Sequence, residues 1–239
     1  MGRGPSIEGR KNAEDAKRAK VFTKLIREIT LATRAGVADP TGNPRLRAAV
    51  DKALSANMTK DTIERAIKRG SGADGADNMS ELRYEGYGPG GIALIIDCVT
   101  DNPTRTVADV RHALSKHGGN LGTTGSVAFQ FTRVGEFVFD TSEDAGLEEK
   151  ILEAAMEAGA EDIQTDNGET VVLCAPENFD AVAAAFKSAG LEVSDAETVM
   201  RPGNRLAING DEKETLLDLI DWLDGLDDVQ DVYHNAALG

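Results

Sequence analysis

The hydrophobic periodicity of the chain changes near Gly70, and this change restricts the fold more than any other feature. Before Gly70 the apolar residues recur at helical spacing, whereas after residue 80 short β-type runs alternate with amphipathic helical segments. Between the two parts, residues 71–80 are rich in Gly, Asp and Ser, which is typical of a linker. The sequence therefore predicts a helical N-terminal region joined to a larger region of mixed α and β structure.

Three helices are predicted in the N-terminal region. The first covers about residues 12–35 and ends before a glycine. The second begins with Asn43 as its N-cap and Pro44 at its first position, a combination that satisfies free N–H groups and presets the backbone angle. The third runs from the N-cap Thr59 to Gly70. Their apolar faces predict a three-helix bundle.

The remainder is predicted to be α+β. Strand, helix, strand, strand, helix, strand follow one another between residues 136 and 199, which is the ferredoxin-like order. A strand at residues 126–132 precedes them. A short strand at 206–208, a helix and a final strand follow, and we expect these last elements to return to the sheet begun after residue 80, because each half alone has too few strands for a stable core.

The predicted fold class is thus a multidomain α+β protein with three parts. These are an N-terminal three-helix bundle (residues 1–71), an α+β middle domain (78–134 and 203–239) and a ferredoxin-like domain inserted into it (135–202).

Charge is distributed unevenly along the chain. The formal net charge is −15, which taken alone argues against nucleic-acid binding. Residues 1–70, however, contain 16 Lys/Arg and 8 Asp/Glu, a net charge of +8, so that the rest carries −23. This asymmetry indicates a module for an anionic ligand attached to an acidic body.

A cationic ridge is predicted on the first helix. At 100° per residue, five of its Lys and Arg side chains fall within about a 100° arc opposite the apolar face. Closely spaced cations release counterions from a phosphate backbone, so the ridge favours nucleic-acid binding. The alternative is a solvated face, but such faces normally mix both signs of charge. The candidate binding residues are Arg3, Arg10, Lys11, Lys17, Arg18, Lys20, Lys24, Arg27, Arg34, Arg65, Lys68 and Arg69.

A glycine pattern at residues 86–91 matches the dinucleotide-binding motif only formally. In that motif a helix follows the glycines, so that its N-terminus meets the pyrophosphate. Here a strand-like run follows, and Pro89 removes a backbone donor. The glycine-rich residues 118–125 lack the Lys-Ser/Thr ending of a phosphate-binding loop. We therefore predict turns and no nucleotide cofactor.

The segment from Asp101 to Arg105 has two interpretations. Asn102 and Pro103 are typical of a helix start, and Asp101 is placed to pair with Arg105. The alternative is a polar contact surface shared with residues 118–122. Capping alone accounts for these residue types, so the structural interpretation is favoured.

No catalytic or metal-binding pattern is found. His112 and His117 are separated by about 140° on a helix, so they cannot bind one metal ion together. Cys98 and Cys174 each lie in a strand-like run and are expected to be buried and reduced. We expect no enzyme activity, cofactor, metal or small-molecule substrate. Without an apolar segment long enough for a membrane or a secretion signal, we also expect a cytoplasmic location.

Several segments resemble the YebC/PmpR family, to which a mitochondrial translational activator also belongs. They extend over nearly the whole chain and are specific in combination. They are residues 10–29 (RKNAEDAKRAKVFTKLIREI), 43–47 (NPRLR), 84–91 (YEGYGPGG), 100–106 (TDNPTRT), 118–122 (GGNLG), 125–127 (GSV) and 228–235 (DVQDVYHN).

The resemblance implies the same three-domain organisation and two alternative functions. One is a transcriptional regulator that binds DNA. The other is a translation factor that binds ribosomal RNA at the ribosome with the same helices. Family members typically begin Gly-His-Ser-Lys-Trp, whereas this chain begins with Gly2 and Arg3 followed by Gly-Pro-Ser, so an arm contact through that Lys and Trp is not expected.

Overall fold

A computed structural model describes residues 7–72 and 78–238, with side chains from residue 14 onward. The chain divides into two compact units. The first unit extends through Ala128 and includes Leu206–Val232 and the residues from Ala236 onward. The second unit comprises Phe129–Arg205 with Tyr233–Asn235.

The N-terminal helices are α1 (Ile7–Ala35), α2 (Pro44–Ser55) and α3 (Lys60–Gly70). Both predicted N-caps are confirmed: the side chain of Asn43 accepts from the third following backbone N–H, and the side chain of Thr59 does the same at α3. Helix α1 begins five residues earlier than the predicted start, because no proline interrupts that stretch.

The three helices share an apolar core. Ile29, Leu46 and Ala53 are fully buried at its centre. Helix α3 approaches α1 closely at Gly70, where a Cβ atom would lie 2.5 Å from the Thr30 carbonyl oxygen. A glycine is therefore required where these two helices meet.

The elements after the helical region follow in mixed order. They are β1 (Ser80–Tyr87), β2 (Ala93–Thr100), α4 (Pro103–Lys116), β3 (Asn120–Leu121), β4 (Phe131–Asp140), α5 (Ala145–Glu157), β5 (Asp162–Asp166), β6 (Glu169–Cys174), α6 (Phe179–Ser188), β7 (Asp195–Pro202), β8 (Leu206–Ala207), α7 (Gly210–Asp224), β9 (Val229–His234) and β10 (Ala236–Ala237).

The first unit contains a four-stranded sheet in the order β3-β1-β2-β9. Strands β1 and β2 form an antiparallel hairpin, and the glycine-rich segment between them is the predicted turn, with Gly90 at φ 68°. Leu94 and Ile96 of β2 pack in one apolar core with Leu114 of α4 and Leu216 of α7. The predicted return of the last helix and strand to this sheet is thus confirmed for α7 and β9.

Strand β8 departs from the prediction. It pairs in parallel with β10 in a separate two-stranded sheet and does not join the four-stranded one. A strand of two residues is too short for its own side-chain pattern to specify a partner. The pairing of β8 therefore depends on where the segment that contains β10 lies.

The second unit contains a four-stranded sheet in the order β5-β6-β4-β7, in which every pair is antiparallel. Phe137 and Phe139 of β4 are fully buried and pack on Phe186 of α6, with ring centroids 5.2 and 4.9 Å apart. Ile151 of α5 and Val172 of β6 complete this core. The chain is therefore a mixed α/β protein with a helical N-terminal region and several antiparallel sheets.

Strand β4 passes through the predicted boundary at residues 134–135. The sequence predicted a strand at 126–132 and a separate first strand of the ferredoxin-like order after residue 136, whereas the structure has one strand that begins at Phe131. Gly135 does not interrupt it, because Gly135 is aligned with Cys174 on one side and Thr198 on the other. A Cβ at this position would lie 2.6 Å from the Cys174 sulfur, so close packing explains the glycine.

Among the described residues, no helix combines the length and the apolar character needed to cross a membrane.

We predict that a fragment of residues 129–205 folds on its own, because it contains a complete sheet, two helices and an apolar core. It should melt cooperatively when circular dichroism is followed at increasing temperature. A Phe186→Ala variant of the fragment should be destabilised by about 3–5 kcal/mol, since it removes a fully buried ring. A broad, non-cooperative transition of the unmodified fragment would contradict the prediction.

Candidate nucleic-acid interface

Two lysines of the predicted ridge contact the C-terminal end of α7. Lys20 Nζ donates to the Gly225 carbonyl oxygen at 2.7 Å, and Lys24 Nζ donates to that of Asp224 at 2.8 Å. The last turn of α7 has no basic residue of its own. Because the final carbonyls of a helix lack partners and carry partial negative charge, the two lysines of α1 act as a cap for α7.

Arg27 makes the third contact, with the α7–β9 turn (residues 224–228, from the last residue of α7). Its Nη1 donates to the Asp227 carbonyl oxygen at 2.6 Å and to the Val99 carbonyl oxygen at 3.0 Å. The same atom lies 3.0 Å from Asp228 Oδ1. One guanidinium thus connects α1 to the turn and to the end of β2.

Asp228 is at the centre of this contact and has 7% of its side chain exposed. Arg105 of α4 donates to both of its oxygens, from Nε at 3.0 Å and from Nη2 at 2.8 Å. Thr106 Oγ1 donates at 2.8 Å, and Arg27 supplies the fourth bond. We refer to Arg27, Arg105, Thr106 and Asp228 as the Asp228 cluster. It satisfies a buried carboxylate with charged and hydroxyl donors, as burial requires.

The Asp228 carboxyl is held ionised. Burial raises its pKa, but the hydrogen bonds from Arg105, Thr106 and Arg27 lower it by more, so the pKa lies below its ordinary value of 3.8. A bidentate arginine is a strong partner because two parallel N–H bonds meet both carboxylate oxygens.

At the end of α7, burial opposes both charges. It lowers the pKa of Lys24, although Asp224 and Asp231 counteract this, and it raises the pKa of Asp224, although Lys24 counteracts that. The lowered pKa of Lys24 and the raised pKa of Asp224 both mean that the charged form of each group would be better solvated outside the contact.

The prediction of one continuous open ridge is therefore corrected for Lys20, Lys24 and Arg27. These three side chains bind acceptors of the chain itself. Helical periodicity identifies which face packs on α2 and α3, but it carries no information about a polar surface more than 190 residues away in the sequence. Whether the three cations also meet a nucleic acid stays a prediction.

The other described cations of α1 lie on either side of this contact. Lys17 and Arg18 are exposed, and the Arg18 guanidinium carbon lies 5.2 Å from the ring centroid of Phe22. Arg34 is exposed as well, and its Nη1 donates to the Met79 carbonyl oxygen at 3.3 Å.

The candidate cations of α3 are all exposed. Arg65 forms an ion pair with Asp61 one helical turn earlier, at 2.8 Å, and Lys68 and Arg69 occupy the last turn. An exposed pair of this type adds little stability, so it leaves the guanidinium available for exchange with a phosphate.

Three candidates lie outside the described side chains. Arg3 precedes the first described residue, and Arg10 and Lys11 belong to the part of α1 whose side chains are not described. Their role stays a prediction.

The start of α4 is built as the sequence predicted. Asn102 Oδ1 accepts the backbone N–H of Arg105 at 3.1 Å, Pro103 occupies the first turn, and Arg105 Nη2 pairs with Asp101 at 2.9 Å. The helix start thereby aims Arg105 at the Asp228 cluster. The cap fixes the start of α4, and the ion pair with Asp101 helps to hold the Arg105 side chain that also binds Asp228.

Glu85 organises the glycine-rich loop that follows α4. Its carboxylate is almost fully buried and accepts backbone N–H groups of Gly125 at 2.6 Å, Val127 at 3.0 Å and Ala128 at 2.6 Å. Burial raises the pKa of Glu85, but these bonds lower it below its ordinary value. Glu85 was not predicted from the sequence, since a single acid in a strand gives no pattern.

His112 of α4 and His117, which caps the end of α4, face the single tryptophan of the chain. The ring centroids of His112 and His117 lie 6.1 and 5.5 Å from that of Trp222, and Lys116 Nζ lies 4.6 Å from the same ring. Within the described part of the chain, no group of three or more His, Cys, Asp or Glu is arranged to hold a metal ion.

Both cysteines are buried and unbridged, as predicted. Burial raises the pKa of Cys98 to about 12, so its thiol stays protonated and unreactive at neutral pH. Burial also raises the pKa of Cys174.

Comparison with known proteins identifies two family profiles that together match most of the chain. The sequence profile of the TACO1/YebC protein N-terminal domain matches residues 4–73, and that of the TACO1/YebC second and third domain matches residues 79–236. The chain belongs to the TACO1/YebC family. The resemblance seen in the sequence is thereby confirmed.

Relatives in this family carry a common description. A probable transcriptional regulatory protein of Xanthomonas oryzae pv. oryzae is 57% identical over 244 residues and covers 100% of both chains. One of Methylococcus capsulatus is 56% identical over 232 residues, covering 97% of this chain and 92% of its own. The crystal structure of a conserved hypothetical protein from Aquifex aeolicus is 42% identical, with a TM-score of 0.84 over 93% of this chain and 91% of that one.

We predict that Asp228→Asn makes the stability of the chain less dependent on pH. Because the folded pKa of Asp228 is below its ordinary value, its carboxylate stabilises the fold above pH 3.8, and this contribution is lost as the pH falls through the folded pKa. At pH 7 the variant should lose about 1–3 kcal/mol of unfolding free energy in urea titrations. The difference from the unmodified chain should shrink in acid.

The matched control is Asp218→Asn, which changes the same charge at an exposed position of α7. A deficit of D228N that stays constant from neutral to strongly acidic pH would show that Asp228 does not act through its charge.

Proposed function

We propose that this chain is a non-enzymatic, DNA-binding transcriptional regulatory protein of the cytoplasm, and that its N-terminal helices hold the phosphate backbone. The observation that carries the proposal is the concentration of exposed cations on α1 and α3. Residues 1–70 have a net charge of +8 in a chain whose net charge is −15. The names of the relatives, which are probable transcriptional regulatory proteins, support it.

The physical basis is counterion release. A cation that neutralises a phosphate frees a condensed counterion, so affinity increases with the number of contacts and decreases with salt. Such contacts position a protein on a duplex without reading its sequence. The acidic remainder of the chain repels the same backbone, which confines binding to the helical region.

The candidate cations contribute in two groups. Those exposed outside the α7 contact form the surface that we assign to the first phosphates. They are Lys17, Arg18, Arg34, Arg65, Lys68 and Arg69. We add Arg3, Arg10 and Lys11 from the sequence, since their side chains lie outside the described part of the chain. The second group, Lys20, Lys24 and Arg27, is engaged by the chain itself.

We also propose that the second unit is the ferredoxin-like domain inserted into the middle domain. Its element order from β4 to β7 and its sheet order β5-β6-β4-β7 support this assignment.

We predict that Lys17→Glu with Arg18→Glu weakens binding to duplex DNA by at least about tenfold at low salt, because two phosphate contacts are replaced by repulsion. Fluorescence anisotropy with a labelled duplex measures the affinity at two salt concentrations. Competition by a structured RNA in the same assay separates the DNA-binding function from a translation factor that binds ribosomal RNA.

The matched control is Lys150→Glu with Lys187→Glu, which makes the same change in net charge on exposed positions of α5 and α6. Equal weakening by both double variants would show that only the overall charge matters. Unchanged binding by the α1 variant would remove the N-terminal helices as the interface, and preferential binding of RNA would replace DNA as the ligand.

A further inference from the structure

The helical region is attached to the first sheet by polar contacts. Its apolar core, centred on Ile29 and Leu46, is one cluster, whereas Leu94, Leu114 and Leu216 belong to another. Neither cluster of described residues includes a member of the other region. Contacts of this kind weaken with salt and with competing anions.

We propose that the docking of α1 on the α7–β9 turn is an autoinhibitory contact, in which the turn occupies Lys20, Lys24 and Arg27 in place of a phosphate backbone. Nucleic acid engages the full cationic face only after α1 leaves the turn. The inference rests on the proposed function and adds a regulatory step to it.

The turn resembles a phosphate backbone in its chemistry. It presents successive oxygen acceptors from the carbonyls of Asp224, Gly225 and Asp227 and from the Asp228 carboxylate, in a segment with three acids. Each of the three cations that follow one another along α1 meets at least one of these acceptors. A polyanion and the turn therefore compete for the same donors.

Of the three cations, Arg27 contacts the largest number of acceptors in this region. Its side chain is 19% exposed, and the same Nη1 lies within hydrogen-bond distance of three acceptors. A phosphate therefore cannot take Nη1 of this guanidinium while the turn holds it.

The contact is also built for release. When Arg27 leaves, Asp228 keeps both bonds from Arg105 and the bond from Thr106, so no buried charge is left unpaired. At the neighbouring contact, burial disfavours the charged forms of Lys24 and Asp224, as the directions of their pKa shifts show. Undocking relieves both.

A tether tests the inference directly. A Cβ at Gly225 would lie 3.5 Å from Lys20 Nζ, and the backbone at Gly225 has a φ of −75°, which any residue adopts. In the full chain carrying Lys20→Cys and Gly225→Cys, a short bismaleimide crosslinks the two introduced cysteines and thereby holds α1 on the turn. The comparison is the same protein capped with N-ethylmaleimide, so that both forms lack Lys20 equally. The buried Cys98 and Cys174 are checked with the unmodified chain.

The tethered form should bind duplex DNA about 10-fold more weakly than the capped form, a coupling of ordinary size. The slope of log affinity against log salt should be shallower by about 2, because Lys24 and Arg27 can no longer neutralise two phosphates. Equal affinities and slopes, or tighter binding by the tethered form, overturn the inference alone. If neither form nor the unmodified chain binds DNA, the proposed function fails and the inference fails with it.

A second variant tests the inference without a tether. Asp228→Asn removes the charge that holds Arg27 and should strengthen DNA binding, measured well below its melting temperature, whereas the exposed Asp218→Asn should not. Weaker or unchanged binding by folded D228N relative to D218N overturns the autoinhibitory role.

Discussion

The arrangement of the first unit depends on one buried carboxylate. Asp228 accepts from α1 through Arg27 and from the start of α4 through Arg105 and Thr106, while its backbone carbonyl accepts from Val99 of β2. Three elements thus meet at one residue of the α7–β9 turn. Since a buried charge is tolerated only when donors surround it, the positions of these elements are coupled.

This coupling gives the acidic body a role beyond solubility. The cations of α1 replace the basic residues that the end of α7 lacks, and they offset its partial negative charge. Under the proposed function, the same charges also attract phosphates. On that proposal the position of α1 is linked to the ligand, because one set of donors cannot fully satisfy two sets of acceptors.

Local signals in the sequence were sufficient for the helices and for several strands. Asn43 and Thr59 are caps because a short polar side chain can bond the backbone three residues on, wherever the helix lies. The turn at residues 86–91 was predicted correctly for the same reason, since only nearby residues decide it. Strand β4 was divided wrongly, because the pairing with β6 and β7 that keeps it continuous involves residues distant in the sequence.

By itself, the sequence determined the helical N-terminal region, its net charge of +8, most of the order of strands and helices, and the family. Only the tertiary structure decided which cations are exposed. Lys17 and Lys24 look equivalent on a helical wheel, yet one is exposed and the other bonds a carbonyl 200 residues away. Periodicity describes a helix about its own axis, whereas the surface that covers one face is assembled from segments distant in the chain.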